Sequence, residues 1–211
     1  MSARVESRVA FACPACAAAA GLGIVRRLVL PADRRADEIV LEILACACGT
    51  KALAVTEALQ SPDASPAALK AKEPERMGFR LSPAAVDLIA YLIAQCPEPA
   101  EEFCDCAAHA ALNRRDLRNQ WNLLYSFAPF EGFALSSTRG SGAAPDFAYV
   151  PLDWAKSGAE WTATVDGREW RVLSGTGDKP PYELAIGDAI EIELPLWPPF
   201  WRRGDEARPS R

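Results

Sequence analysis

Over the first sixty positions the apolar residues fall in strand-length runs. Val5 to Ala12, Ile24 to Leu30, Ile39 to Leu44 and Lys51 to Thr56 are such runs, and Pro31 with the charged stretch Asp33 to Glu38 separates the middle two. Runs of this length with β-branched residues predict strands, and the charged stretch predicts a turn. Gln60 to Arg80 carries three prolines among Ser, Asp, Lys and Glu, which reads as a linker.

The period changes after Ser82. Ser82 offers a side-chain cap and Pro83 suits a first helical turn. Ala85, Leu88, Ile89, Leu92 and Cys96 recur at helical spacing and define one apolar face, which Pro97 and Pro99 end. A second helix is predicted from near Cys106 toward Leu124. Leu117, Trp121 and Leu124 mark its apolar side, and Asn113, Arg114, Arg115, Asp116 and Arg118 are mostly its wet side. Gly132 to Ala144, rich in Ser, Gly and Thr, predicts a second flexible connection.

From there the pattern alternates as strands do. Asp166-Gly167 is the strongest two-residue hairpin signal, and it places Trp161, Ala163 and Val165 on one face with Arg168, Trp170 and Val172. A second hairpin spans Tyr182 to Leu194. A two-residue loop there would set Leu184 against Glu191. A three-residue Gly187-Asp188-Ala189 loop aligns Tyr182, Leu184 and Ile186 with Leu194, Ile192 and Ile190, and this apolar pairing is the expected register. The end of the chain, Pro195 to Arg203, is too rich in proline for a central strand.

Composition narrows the classes. At 211 residues the chain accommodates one large domain or two small ones. Its net charge is −5, and residues 1–60 carry seven basic against six acidic side chains, so no broad footprint for nucleic acid is expected. Val9 to Val25 is uncharged between Arg8 and Arg26, but it is dominated by Ala and broken by two Cys, a Pro and two Gly. A membrane span needs roughly 20 strongly apolar residues, and a secretory core needs an unbroken run. No membrane association and a cytoplasmic location are therefore expected, where clustered thiols stay reduced and favour metal over disulfides.

Those thiols are the chemistry this chain declares. Cys13-Pro14-Ala15-Cys16 is followed 29 residues later by Cys46-Ala47-Cys48-Gly49. Two short-spaced pairs with strand-like flanks supply the four thiolates of a closed tetrahedral zinc shell. The alternative is a set of buried or redox thiols. A glycine such as Gly49 after a knuckle permits the positive φ that turns backbone amides toward sulfur. The second group is Cys96, then seven residues, then Cys104-Asp105-Cys106-Ala107-Ala108-His109. Cys106 and His109, three apart, share a helix face. Cys96 and Cys104 can join them across the proline loop, giving three thiolates and an imidazole. Here the alternative is three core thiols and an ordinary histidine. His109 is the only histidine. If it binds metal, no Ser-His-Asp or Cys-His arrangement is left; if it is free, Cys104 or Cys106 could pair with it as a nucleophile. Gly175-Thr176-Gly177-Asp178 is a turn without a following helix, not a phosphate loop.

Cys13, Pro14, Cys16, Cys46, Cys48 and Gly49 make residues 9–56 resemble the zinc-ribbon class, and more narrowly uncharacterised bacterial proteins with an N-terminal CPxC…CxC zinc-binding domain. The match departs from pattern at Ala17, where a Gly is customary. The resemblance implies a structural zinc and a ribbon fold. Ribbons serve in nucleic-acid binding, protein docking and pure structural support, so it implies no single activity.

The expected fold is α+β: a zinc-ribbon unit (1–60), a linker (61–80), a helical pair with the second cluster (81–130), a flexible connection (131–144) and an antiparallel β meander with an aromatic tail (145–211). Two structural zinc ions are expected. Trp197, Phe200 and Trp201, among prolines and ahead of Arg202-Arg203, either cover a sheet edge or anchor into a protein partner. The function expected is a non-enzymatic docking or accessory subunit of a larger bacterial assembly. The alternatives are single-stranded nucleic-acid binding through Arg26, Arg27, Arg34 and Arg35, and a zinc- or thiol-dependent hydrolase.

Overall fold

The computed structural model describes residues 9–11, 13, 15–18, 21–31, 36–59, 75–79, 81–112, 137–139, 147–177, 181–187 and 190–204. Among them the chain is mixed α+β, with three sheets and two helices.

A short strand β1 (Val9–Phe11) leads into the first knuckle. Then β2 (Gly23–Leu30), β3 (Ala36–Ala45) and β4 (Lys51–Leu59) form an antiparallel sheet in chain order. A fourth strand, β5 (Glu75–Phe79), adds to β4 with Val55 opposite Met77. It lies inside the stretch expected as a linker. An edge strand is held by main-chain pairing, so a charged, proline-bearing composition does not reveal it. The same holds for β6 (Ser137–Arg139), which pairs with β1 from within the expected flexible connection.

The first sheet buries one face in the main core and part of the other in a second cluster, which explains its near-continuous apolar runs. Leu41 opposite Val55 and Ile43 opposite Leu53 look into the main core. On the other face Leu44, opposite Ala52, joins Cys13, Leu22, Cys46 and Ala54 in a small separate cluster.

Helix α1 (Pro83–Gln95) starts as expected. The Ser82 hydroxyl accepts from the Ala85 amide at 3.2 Å, and Pro83 occupies the first helical position. Cys96 closes it in an extended conformation. Every residue from Ala85 to Ile93 is buried, Asp87 included, a wider buried girth than the single apolar stripe expected. Helix α2 (Ala107–Leu112) follows, and the expected continuation toward Leu124 lies outside the described residues.

The C-terminal part is a six-stranded sheet that curls into a half-barrel. Its strands are β7 (Leu152–Ser157), β8 (Glu160–Val165), β9 (Arg168–Ser174), β10 (Tyr182–Ile186), β11 (Ile190–Leu194) and β12 (Trp201–Arg203). Both hairpins take the expected register: Trp161 faces Val172, and Leu184 faces Ile192. Asp166 and Gly167 have φ of 53° and 72°, the left-handed pair a two-residue turn requires. The sheet is mixed instead of a pure antiparallel meander, because β12 returns along the free edge of β7 in parallel.

Aromatic rings fill the concave side. Trp154 and Trp201 lie 4.6 Å apart, and Trp197 meets Trp154, Trp161, Tyr182 and Trp201 edge to face. The indole N–H groups of Trp154, Trp161, Trp170 and Trp201 are buried without a hydrogen-bond partner. Arg203 caps the group: its guanidinium sits 4.6 Å over Trp197 and donates to the Tyr182 hydroxyl at 2.8 Å.

One hydrophobic cluster runs through all three parts. Leu28, Leu41 and Leu53 of the first sheet, Leu88 and Leu92 of α1, Leu112 of α2, and Trp154, Trp170 and Leu184 of the half-barrel belong to it. Asp87 is buried inside it. Its carboxylate accepts from Lys51 Nζ at 2.5 Å and from the Val150 amide at 2.7 Å, linking α1, β4 and the approach to β7. No described helix is long and apolar enough to cross a membrane.

Candidate metal centres

The first knuckle is a tight turn between β1 and β2. The Ala17 amide donates to the Cys13 carbonyl at 2.8 Å, and the Cys13 amide donates to Ala18 at 3.0 Å. Ala17 takes φ 55°, the left-handed conformation that a glycine would adopt freely. Thus the geometry of the customary glycine is kept although the residue is not. Gly21, which the sequence did not single out, packs against the same turn. A Cβ there would stand 2.7 Å from Cys13 Cβ.

The second knuckle is the β3–β4 connection. The Gly49 amide donates to the Cys46 carbonyl, and Gly49 has φ 90°. Antiparallel pairing of Ala45 with Lys51 brings the ends of both strands under the first knuckle. Cys13 Sγ then lies 3.6 Å from Cys48 Sγ, and Cys16 Sγ lies 3.7 Å from Cys46 Sγ. A zinc ion about 2.3 Å from each of four sulfurs sets tetrahedral edges of about 3.8 Å. All four sulfurs lie within 4.8 Å of one another, so the set fits that shell. No sulfur is in a disulfide.

The second set is built where α1 ends and α2 begins. Cys96 caps α1, and the Ala110 amide donates to the Cys106 carbonyl, placing Cys106 at the mouth of α2. Cys96 Sγ is 3.7 Å from Cys104 Sγ and 3.6 Å from His109 Nδ1, and Cys106 Sγ is 3.3 Å from His109 Nδ1. For zinc–sulfur and zinc–nitrogen bonds of about 2.3 and 2.05 Å, a tetrahedral sulfur–nitrogen edge is about 3.5 Å. These four atoms also lie within 4.8 Å of one another.

A carbonyl outside the cluster orients the imidazole. His109 Nε2 lies 2.9 Å from the Val29 carbonyl oxygen. A carbonyl only accepts, so Nε2 carries the proton and Nδ1 presents its lone pair to the sulfurs. The Val29 amide donates to the Pro99 carbonyl at 2.9 Å. Both backbone groups of Val29, on the edge strand β2, are thereby satisfied by the segment that carries the second set, the amide by Pro99 of the loop and the carbonyl by His109 of α2. The sequence predicts a clamp between two helices; the structure adds a third member, the first sheet.

Charge explains why these sets suit a cation. In the first, the Thr50 hydroxyl and amide draw the Cys48 thiol down to about 6. The Cys48 amide also favours a Cys46 thiolate, but burial and the adjoining thiols push Cys46 up to about 12. In the second, burial opposes ionisation of Cys106, yet the His109 amide and ring outweigh it and bring Cys106 to about 7. Burial, with help from Cys106, pushes Cys96 up to about 12. Cys48 and Cys106 are thus drawn down while Cys46 and Cys96 are held up, because thiolates this close repel. A divalent cation among them removes that conflict.

The other expected residues are placed as follows. Trp201 is buried, Trp197 and Phe200 are half-buried, and Phe200 stacks on Tyr149 at 4.2 Å. Arg26 is exposed, Arg27 donates to Glu42 at 2.6 Å, and Arg34 and Arg35 lie outside the described residues. Comparison with protein-family models, with curated proteins and with solved structures finds no match to this chain.

Proposed function

We propose that this protein is a non-enzymatic, zinc-stabilised docking or accessory subunit that holds two structural zinc ions. Cys13, Cys16, Cys46 and Cys48 hold the first, and Cys96, Cys104, Cys106 and His109 hold the second. The observation that carries the reading is the spacing of the eight donor atoms in two groups with tetrahedral edges. Each shell is filled by four protein donors, which leaves no coordination position for a substrate. The only histidine has one nitrogen toward the sulfurs and the other on Val29, so no imidazole is left as a general base. Clustered free thiols suit a reducing compartment such as the cytoplasm.

Among the described residues docking falls to the exposed apolar side chains Phe103, Val150 and Leu196, because the tail's rings are drawn onto the half-barrel. The second zinc would hold the loop that presents Phe103. Metal analysis with thiol counting before and after a chelator tests the ions: about two zinc per chain and few reactive thiols are expected. Light scattering and a pull-down test the docking role. Reproducible turnover of a substrate, lost on substituting Cys104 or His109, would overturn it. Salt-dependent binding of single-stranded oligonucleotides would replace it with the nucleic-acid reading.

A further inference from the structure

We propose that the first cluster is also an oxidation site, at which hydrogen peroxide joins the two knuckles through a disulfide and ejects the ion, while the second cluster keeps its own. The inference rests on the zinc reading above. The two sets differ in what solvent can reach. Cys16 and Cys48 are exposed, one from each knuckle, and Cys13 and Cys46 lie buried beneath them. In the second set Cys96 and His109 are buried, and Cys104 and Cys106 are only partly accessible. Oxidation of thiolates follows access, so a small oxidant meets the first set before the second.

Each exposed cysteine also has a resolving partner on the opposite knuckle. Cys48 stands 3.6 Å from Cys13, and Cys16 stands 3.7 Å from Cys46. The exposed thiolate attacks one peroxide oxygen; a sulfur–oxygen bond forms, the oxygen–oxygen bond breaks, and the departing hydroxide takes a proton and leaves as water. The partner thiolate then attacks the sulfenic sulfur. The sulfur–sulfur bond forms, the sulfur–oxygen bond breaks, and a second water leaves with a second proton. Two electrons pass from the thiolates to the peroxide. The ion, stripped of two anionic ligands, departs into water.

The placement of the two sets limits the consequence. Cys13 and Cys46 belong to the small cluster on the outer face of the first sheet. Cys96 belongs to the main core, with Cys104 and Cys106 packed against it. Oxidation therefore remodels the N-terminal knuckle while the helices and half-barrel hold.

The test is hydrogen peroxide titration of the zinc-loaded full chain, with a chromophoric chelator reading released zinc and tryptic mass mapping locating the bonds. Expected are release that levels at half of the bound zinc, and a rate for the first ion about tenfold or more above the second. A cross-link between peptide 9–26 and peptide 36–51, with Cys96, Cys104 and Cys106 still open to alkylation, is expected alongside. Release of both ions together, release without that cross-link, or a disulfide within 96–106 overturns the inference and leaves the zinc reading standing. A chain that purifies without zinc and cannot be loaded overturns both.

Discussion

His109 Nε2 lies 2.9 Å from the carbonyl oxygen of Val29, a residue 80 positions earlier in the chain. That bond makes the second cluster part of the first sheet's edge as well as a clamp between two helices. A ligand histidine held through its other nitrogen has a fixed tautomer and ring plane, and loss of such an outer partner typically costs about 10–100-fold in metal affinity.

His109→Ala is expected to lose the second zinc and keep the first, giving about one zinc per chain by elemental analysis. His109→Cys separates the two roles of the side chain. It restores a fourth donor but leaves the Val29 carbonyl without its imidazole. We expect affinity at the second site to fall about 10–100-fold in chelator competition. An affinity equal to the unaltered chain's would mean that the carbonyl plays no orienting part.

The first knuckle is strained at Ala17. A non-glycine residue at φ 55° costs roughly 1–2 kcal/mol, part of which glycine returns as chain entropy in the unfolded state. Ala17→Gly is expected to stabilise the zinc-loaded protein by about 0.5–1 kcal/mol, read from denaturant midpoints at constant slope. Gly21→Ala should act in the opposite direction, because its new carbon must push Cys13 from a position set by three other sulfurs.

Asp87 and Lys51 form an ion pair inside the core, with side-chain exposures of 0% and 9%. Asp87→Ala leaves the lysine charge nearly buried and uncompensated, at an expected loss of about 3–5 kcal/mol. Replacing both by Leu and Met should recover much of it. Burial pushes the Asp87 carboxyl above its usual range, against the pull of Lys51 and the Val150 amide. The folded state therefore holds the proton more tightly than the unfolded chain. This group's contribution to stability is complete below the unfolded value of about 3.9 and declines as pH rises through the folded value. The unfolding free energy relative to Asp87→Asn should fall across that interval; a difference that rises with pH would contradict the burial argument.

Trp201 closes the aromatic group from β12. Trp201→Ala should cost about 3–5 kcal/mol, since it opens a cavity between Trp154, Trp170 and Trp197 and weakens the parallel pairing with β7. Thermal unfolding would register it, with zinc content unchanged.

What could be read in advance was local. Asp166-Gly167 dictated one hairpin because few turns tolerate two left-handed residues, and the alternation of Ile186, Ile190 and Ile192 admitted only one apolar register for the other. The ligand groupings were legible because chelating pairs sit close in sequence. Main-chain edges were not: β5, β6 and β12 are joined to their neighbours by backbone bonds that any side chain permits. The Val29–His109 bond was hidden for the same reason, since a carbonyl acceptor leaves no mark on residue type. Gly21 was missed because its role is to leave room, and room appears only once the knuckle is folded.

Five of the six tryptophans lie between positions 154 and 201, gathered on one curled sheet, while the first cluster holds none. The molecule is thus optically lopsided. Its intrinsic fluorescence will follow melting of the C-terminal half and stay almost silent when the N-terminal knuckle opens. Cobalt exchanged for zinc in both clusters, through its thiolate charge-transfer bands, would report the metal sites, so that one sample follows the clusters and the half-barrel at separate wavelengths.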